Sequence, residues 1–411
     1  MMQLKNTSGR LIQNNDVYKI IMKQLKKILK RILWGILIIL VVFTIGVYVS
    51  GNGYIFSAFQ KTYLKGHTTA NIDDYVDFDN AVVIAGAPQP WELHAKYNQL
   101  QLTDILRKEL ESFQTIGFGI FKDGKLLYEE YWDKYSDSSL TNSFSMSKSI
   151  TTMLLGKAIE QGYIKGLDQK ITDFIPEFLQ DSLGCLATVG DLSSMRSGYD
   201  WDESYYSPFS VTTEAYYGDH IEMQLLKRHF ISRPGGHFKY LSANSELLAI
   251  VLKRATGKGL AQYLSEEFWQ PMGMESDALW SLSGGIEKSF CCVYSNVRDY
   301  AKLGQLLLQK GNWNGVQLLD SAFVERMVTP CYDAFLPDEP KKYGYSIWID
   351  ETYHPRFYGM IGHLGQRILV VPDENLVIVR LGKTMDTVHP SKGALDADTY
   401  LMVDEVMKMI K

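Results

Sequence analysis

The chain has 411 residues, of which 46% are hydrophobic and 22% charged, and it carries a formal net charge of -5. This is the composition of a folded protein with a sizeable core. It provides no basic stripe, and no segment interleaves aromatic with basic residues, which argues against nucleic acid as a partner. The eight histidines are scattered without metal-ligand spacing, so we expect neither a metal nor another cofactor.

The amino-terminal segment predicts a membrane anchor. The uncharged apolar run Ile32–Val49 is long enough to cross a bilayer as a helix. One acid, Asp16, and several basic residues come shortly before it: Lys19, Lys23, Lys26, Lys27, Lys30 and Arg31. By the positive-inside rule, residues 1–31 form a cytoplasmic tail, residues 32–49 span the membrane once, and the rest lies on the periplasmic or extracellular side. A signal peptide cleaved near Val49-Ser50-Gly51 is the alternative.

The region after the apolar run divides into a lead-in and one folded domain. Residues 50–95 are rich in polar and acidic residues before Pro88 and Pro90, and we expect a stalk and lead-in there. Residues 96–411 then form the main domain. A helix is predicted from Leu102 to Phe113, followed by a hairpin with its turn at Asp123-Gly124.

Ser145 and Lys148 are the first candidate catalytic pair. The run from Ser147 to Gly162 has apolar residues at helical spacing, which predicts a helix that starts at Ser145. Positions three apart on a helix share one face, so a partly desolvated Lys148 could take the proton of the Ser145 hydroxyl. A Ser-x-x-Lys tetrad on its own is weak, because such tetrads also occur by chance.

Longer segments make the pair more specific. The run SFSMSKSITTMLLGKAIEQG and the later blocks SSMRSGYDWDE, RPGGHFKYLSANSELLAIVLKRATG and IGHLGQRILVVPDENLVIV occur in one order. From about Phe118 to the end, the chain resembles the serine β-lactamase-like superfamily, in particular class C β-lactamases, family VIII esterases and 6-aminohexanoate-dimer hydrolases. Strands at both ends of the domain, helices between them and a closing helix from about Asp396 indicate one antiparallel sheet flanked by helices and an all-helical lobe at about 165–335. This agrees with the α/β (α+β) fold that the resemblance implies.

The resemblance also assigns roles to other residues. It implies that Tyr240 shuttles protons beside Lys148, and that His363 faces the nucleophile where β-lactamases usually carry a lysine. The backbone amides of Ser145 and Gln366 would form the oxyanion hole. Substrate-binding candidates follow from the same comparison and are Tyr199, Trp201, Asp202, Ser242, Asn244 and Gly365. The loop residues among them could equally pack on their own domain.

A second tyrosine motif competes with Tyr240. Tyr294-Ser295-Asn296 has the spelling that class C β-lactamases use, but Asn296 with Asp299 also has the pattern of a helix start. We interpret this motif as structural. The four cysteines, Cys185, Cys291, Cys292 and Cys331, leave the disulfide state open.

The sequence therefore predicts a membrane-anchored, exported serine hydrolase that cleaves a small ester, amide or short peptide through a Ser145 acyl-enzyme. One alternative is a β-lactamase or D,D-peptidase with the same nucleophile. Another is a catalytically silent, membrane-tethered binding module. The oligomeric state is left open, as is the substrate, because one catalytic set serves many substrates in this superfamily.

Overall fold

The computed structural model describes residues 8–205, 207–331, 342–386 and 395–411, with side chains from residue 17 onwards. The predicted tail therefore lies partly outside the described residues, as do positions 332–335 of the predicted lobe. The chain divides into two compact units, Met1–Phe56 and Ser57–Lys411.

The helices and strands are numbered in chain order. The helices are α1 (Ser8–Val49), α2 (Tyr54–Lys61), α3 (Asp104–Ser112), α4 (Met146–Glu160), α5 (Val189–Ser193), α6 (Val211–Tyr217), α7 (Ile221–Leu226), α8 (Ser242–Thr256), α9 (Leu260–Leu264), α10 (Val297–Leu308), α11 (Ser321–Met327) and α12 (Ala397–Ile410). The strands are β1 (Asn80–Val83), β2 (Thr115–Lys122), β3 (Lys125–Tyr131), β4 (Thr141–Asn142), β5 (Ala278–Ser283), β6 (Ile286–Glu287), β7 (Val293–Ser295), β8 (Asn312–Trp313), β9 (Val316–Gln317), β10 (Trp348–Asp350), β11 (Phe357–Gly362), β12 (Gln366–Val371) and β13 (Leu376–Gly382).

The first unit consists mainly of α1. Its part Val17–Val49 is long and apolar enough to cross a membrane, judged by length and composition. Most of its large apolar side chains are exposed, Leu40 and Phe43 among them. A helix of this kind near the amino terminus fits either a membrane anchor or a signal sequence.

A six-stranded antiparallel sheet organises the second unit, with strand order β10-β11-β12-β13-β2-β3. Strands from both ends of the domain form it, as the sequence predicts. Helices α3 and α12 cover one face through Leu106, Leu110, Val403 and Val406. Helix α10 covers the other face so closely that a Cβ at Gly304 would lie 2.7 Å from Ile368.

A second, smaller sheet departs from the expected architecture. Its order is β1-β5-β7-β4, with β6 paired to β5. The middle of the chain is therefore not all-helical, because β5 to β9 fall within it. The lead-in is also not a free stalk from Ser57 onwards, since β1 pairs with β5 and the side chains of Ile72 and Val83 are buried.

Helix α4 crosses the centre of the second unit and packs against α8. Twelve of its residues are buried, including Met146, Ile150 and Leu154, so core surrounds it on nearly every side. It ends before Gly162, which has a left-handed φ of 77°. This central helix fixes the residues at its amino end relative to both sheets.

Candidate active site

Ser145 and Lys148 lie together at the start of α4. Ser145 is the residue before the first helical turn, and the Lys148 Nζ donates a hydrogen bond to the Ser145 Oγ at 3.0 Å. A second bond runs from the same Nζ to the backbone oxygen of Phe290 at 2.7 Å. The predicted helix and its one-face spacing are confirmed, and the distance suits proton transfer between the two side chains.

The electrostatics of Lys148 favour a base near neutral pH. Its side chain is only 1% exposed. Burial lowers the pKa of Lys148 to about 8, while the carboxylates of Glu203 and Glu246 oppose the drop. About one lysine in ten is then uncharged at pH 7, far more than for a solvated lysine.

Tyr240 lies beside the same lysine. The Lys148 Nζ is 5.1 Å from the centre of the Tyr240 ring, and Trp348 covers that ring at 5.6 Å. Burial raises the pKa of the Tyr240 phenol, and a hydrogen bond with Ser145 opposes the rise. The phenol is therefore protonated at neutral pH and can donate to a group bound at Ser145.

His363 lies in an aromatic setting. Its imidazole meets the Phe144 ring edge-on at 5.5 Å and stacks on the Tyr205 ring at 6.1 Å with an interplanar angle of 11°. Burial, and secondarily the charge of Arg367, lower the pKa of His363. The imidazole is thus mainly neutral near pH 7, unlike a lysine in the same place.

Glu203 is a charged residue of the site that the sequence analysis missed. Its carboxylate accepts hydrogen bonds from the Ser242 N–H at 2.7 Å, from the Ser242 hydroxyl and from the Tyr205 hydroxyl. It is also the largest charge effect on Lys148. The sequence placed it directly after Asp202, in a segment that could line the cleft or pack on its own domain, and nothing there related it to Lys148.

Two of the candidate substrate-binding residues, Tyr199 and Trp201, pack in the protein interior. Tyr199 and Trp201 are 1% and 2% exposed, at variance with side chains that line an open cleft. They pack inside the lobe, where the Tyr199 hydroxyl bonds to the Leu225 carbonyl and the Trp201 indole donates to Thr212. Asp202 is exposed.

The motif after Tyr240 also points inward. Ser242 donates to Glu203, and the fully buried Asn244 accepts from the Ser197 hydroxyl at 2.5 Å. Asn244 thereby holds the loop before Tyr199 in place. Both side chains therefore hold neighbouring segments of the site, and their part in binding a substrate stays a prediction.

Of the two backbone N–H groups expected to form the oxyanion hole, one is available to a substrate and the other is hydrogen-bonded within the protein. The Ser145 N–H donates to no acceptor among the described residues, as an oxyanion donor should. The Gln366 N–H, however, donates to the His363 carbonyl in this conformation. Gly365 takes a left-handed φ of 80° just before it. The role of Gln366 stays a prediction that requires the His363–Gly365 turn to rearrange.

The competing motif at Tyr294 is structural. Tyr294 is fully buried, and its hydroxyl donates to Asp74 at 2.8 Å. Asn296 caps α10 by accepting from the Asp299 N–H at 2.9 Å, which confirms the predicted helix start. The hydroxyl of this tyrosine is therefore engaged in a buried hydrogen-bond network with Asp74.

A disulfide between neighbouring residues borders the site. Cys291 and Cys292 are bonded to each other, directly after the Phe290 carbonyl that accepts from Lys148. Cys185 and Cys331 are free. The adjacent cysteines were visible in the sequence, but nothing in their spacing indicated that they bond to each other.

Comparison with known proteins identifies the family of this chain. The Beta-lactamase family model matches residues 102–401, so the chain belongs to the β-lactamase family and is a serine hydrolase of that family. A 6-aminohexanoate-dimer hydrolase of Paenarthrobacter ureafaciens is 26% identical over 299 residues, which cover 68% of this chain and 76% of that protein.

Solved structures show the same fold. One from Bacillus anthracis, assigned as a 6-aminohexanoate-dimer hydrolase, has a TM-score of 0.65 at 20% identity and covers 87% of this chain and 93% of its own. A family VIII carboxylesterase has a TM-score of 0.59 at 16% identity and covers 77% and 98%. The fold and family expected from the sequence are confirmed.

Proposed function

We propose that the chain hydrolyses ester or amide bonds of small molecules through a covalent intermediate on Ser145. The observation that carries the proposal is the 3.0 Å hydrogen bond between the Ser145 Oγ and the Nζ of a fully buried Lys148. A buried lysine with a pKa of about 8 is a base matched to neutral pH. The similarity to a 6-aminohexanoate-dimer hydrolase, whose name denotes an amide-type substrate, supports the same reading.

The proposed reaction has two steps. The Ser145 Oγ attacks the carbonyl carbon while uncharged Lys148 takes the hydroxyl proton, and the oxyanion faces the Ser145 N–H. As the bond to the leaving group breaks, Tyr240 donates its proton to the leaving oxygen or nitrogen. Lys148 then returns to Tyr240 the proton that it took from Ser145. Water then attacks the acyl-enzyme, with its proton returning through the same groups, and the acid leaves with Ser145 restored.

The charges around Ser145 favour this reading over a β-lactamase or D,D-peptidase. Penicillins and D-alanyl peptides carry a carboxylate close to the bond that is cleaved. The Glu203 charge close to Lys148 and a mainly neutral His363 offer such a group little attraction. Esters and amides without that carboxylate avoid the repulsion.

The test is intact-mass analysis of the full chain in detergent after separate incubation with a fluorophosphonate, a penicillin and a nitrophenyl ester. Ser145→Ala is the control. We expect a stoichiometric fluorophosphonate adduct on the wild type alone and turnover of the ester. Rapid acylation by penicillin would support the β-lactamase alternative, and no adduct with any reagent would support a binding module.

We further propose that residues 32–49 anchor the protein in the membrane, with the tail 1–31 in the cytoplasm and the hydrolase domain outside. The apolar helix Val17–Val49 and the lysines before its apolar run support this arrangement. Alkaline carbonate should leave the protein in the membrane pellet. Protease added to spheroplasts should degrade the hydrolase domain, and a soluble, shortened protein would instead indicate a cleaved signal peptide.

A further inference from the structure

The Phe290 carbonyl fixes where the Lys148 ammonium lies. A lysine ammonium has three N–H donors, and in a buried site each hydrogen-bond acceptor helps to fix the position of the ammonium. Lys148 bonds to the Ser145 Oγ and to the Phe290 oxygen. Because one partner is the reacting atom itself, the Phe290 carbonyl is the fixed reference that keeps the Nζ beside the nucleophile.

A carboxylate behind that carbonyl holds the backbone in place. Glu246, on α8, accepts from the Ser289 N–H at 2.8 Å and from the Ser289 hydroxyl at 2.9 Å. On the other side, the Ser147 hydroxyl donates to the Ser289 carbonyl at 2.8 Å. The segment that carries Phe290 is therefore fastened between α8 and α4, one residue before the acceptor carbonyl.

The far end of the same segment is fastened as well. The Cys292 N–H donates to the Asn142 Oδ1 at 3.1 Å, and the Ser143 N–H donates to the Val293 carbonyl at 2.7 Å. Asn142 and Ser143 directly precede the turn into Ser145. Glu246 is thus one end of a continuous set of contacts that begins on α8 and ends beside the nucleophile.

Glu246 also acts on Lys148 through its charge. The side chain of Glu246 is 1% exposed, and burial raises its pKa to about 7, opposed by the Ser289 and Phe290 hydrogen bonds. The charged groups that face it are Lys148 on α4, Lys288 before Ser289, and Glu287. When ionised, Glu246 stabilises the charged form of Lys148.

We infer that Glu246 is a positioning residue for catalysis: by holding Ser289 and Phe290, it sets the place and the charge of the Lys148 amine beside Ser145. The inference rests on the proposed roles of Ser145 and Lys148. Glu246 itself does not touch the substrate. Its effect should therefore fall on kcat and on the pH dependence of acylation, and not on KM.

The test compares Glu246→Gln and Ser289→Ala with Glu405→Gln in the full chain. Glu405, in α12, is a matched control. Like Glu246 it is buried, and its carboxylate accepts a hydrogen bond from the Thr103 hydroxyl. For a nitrophenyl ester we expect Glu246→Gln to lower kcat about tenfold or more with KM nearly unchanged, as for a misplaced catalytic group. Ser289→Ala should show a smaller loss of the same kind, and Glu405→Gln none.

The pH profile separates positioning from general destabilisation. Without the Glu246 charge the pKa of Lys148 falls, so the rise of the fluorophosphonate acylation rate with pH should move to lower pH in Glu246→Gln. A lower active fraction would scale the curve without moving it. If Glu246→Gln has the pH profile and the kcat of the wild type, the inference is wrong. If Glu246→Gln does not fold, Ser289→Ala decides instead, and a wild-type pH profile and kcat in that variant overturn the inference.

This outcome is distinct from failure of the proposed function. If the wild type is not labelled at Ser145 at all, the hydrolase proposal fails and the inference falls with it. If the wild type is labelled and turns over the ester while the Glu246 and Ser289 variants behave like Glu405→Gln, the function stands and only the positioning role is wrong.

Discussion

The Tyr205 ring lies stacked on the His363 imidazole, with ring centres 6.1 Å apart. The hydroxyl of the same tyrosine donates to Glu203, so one side chain contacts both the neutral ring and the negative group of the site. His363 stands at the turn between β11 and β12, whereas Tyr205 belongs to the loop after Trp201. The contact brings a lobe loop against the main sheet at the candidate nucleophile.

This contact predicts how two substitutions of Tyr205 differ. Tyr205→Phe keeps the stacked ring and loses the hydroxyl bond to Glu203, whereas Tyr205→Ala loses both. An aromatic pair is worth about 0.5–1.5 kcal/mol, so kcat/KM for a nitrophenyl ester should fall about two- to tenfold in Tyr205→Ala. Tyr205→Phe should retain most of that activity. Equal losses in the two variants would show that the ring contact does not matter.

The environment of Lys148 predicts the pH dependence of acylation. Uncharged Lys148 is the proposed base, so the rate should rise with pH through its pKa of about 8 and level off above it. Because the Glu203 charge raises that pKa, Glu203→Gln should move the rise to lower pH. Stopped-flow acylation by a nitrophenyl ester from pH 6 to 10 measures both curves, with Asp202→Asn as the exposed neighbouring control. A shift to higher pH, or an equal shift in the control, would contradict the assignment of Glu203.

The Cys291–Cys292 bond predicts a thiol count. Alkylation of the unfolded chain without reductant should modify only Cys185 and Cys331. A dithiol should reduce the Cys291–Cys292 disulfide to two thiols, with its own two thiols oxidised to a cyclic disulfide, so that all four cysteines become reactive. Mass spectrometry distinguishes the two states. Four alkylated cysteines before reduction would show that the bond does not form in the purified protein.

The same bond should matter for activity because it follows Phe290 directly. Replacing both residues, Cys291→Ala with Cys292→Ala, frees the backbone that carries the acceptor of Lys148, and we expect kcat to fall about threefold or more with KM unchanged. The matched control replaces the two free cysteines, Cys185→Ala with Cys331→Ala. If the control double variant loses as much kcat as the test variant, the loss reflects reduced stability and not the disulfide beside Phe290.

Local patterns explain the parts of the fold that the sequence predicted. The β2–β3 hairpin follows from the turn residues Asp123-Gly124 between two strand-like segments, and α3, α4 and α12 follow from helical spacing and their flanking residues. The pairing of Ser145 with Lys148 follows from helix geometry alone. These features depend on residues that are close in the chain.

Long-range contacts explain what the sequence did not predict. The small sheet pairs β1 with β5, which lies some two hundred residues further along, and β4 and β7 are too short to show a period. Glu203 and Glu246 have no feature in their own segments that relates them to Lys148. Only folding brings α8 and the loop after Trp201 against the start of α4.

The turn at Gly365 predicts a stability effect with two separable parts. Gly365 has a left-handed φ of 80°, and a Cβ there would lie 1.6 Å from the Arg380 guanidinium. That guanidinium cannot easily move, because it is buried and bonds to the carbonyls of Gly365 and Phe113. Gly365→Ala should therefore lower the free energy of unfolding by the left-handed backbone cost, about 1–2 kcal/mol, plus about 1–3 kcal/mol for the clash.

Gly162 provides the matched control for this prediction. It has a φ of 77° but no atom within 4 Å of the added Cβ, so Gly162→Ala carries the backbone cost without the clash. Urea unfolding of both variants, followed by tryptophan fluorescence of the full chain, measures the difference. A larger loss for Gly365→Ala shows that the turn is held by Arg380. Equal losses would mean that Arg380 moves aside, and the turn that carries His363 and Gln366 would then be free to rearrange when a substrate binds.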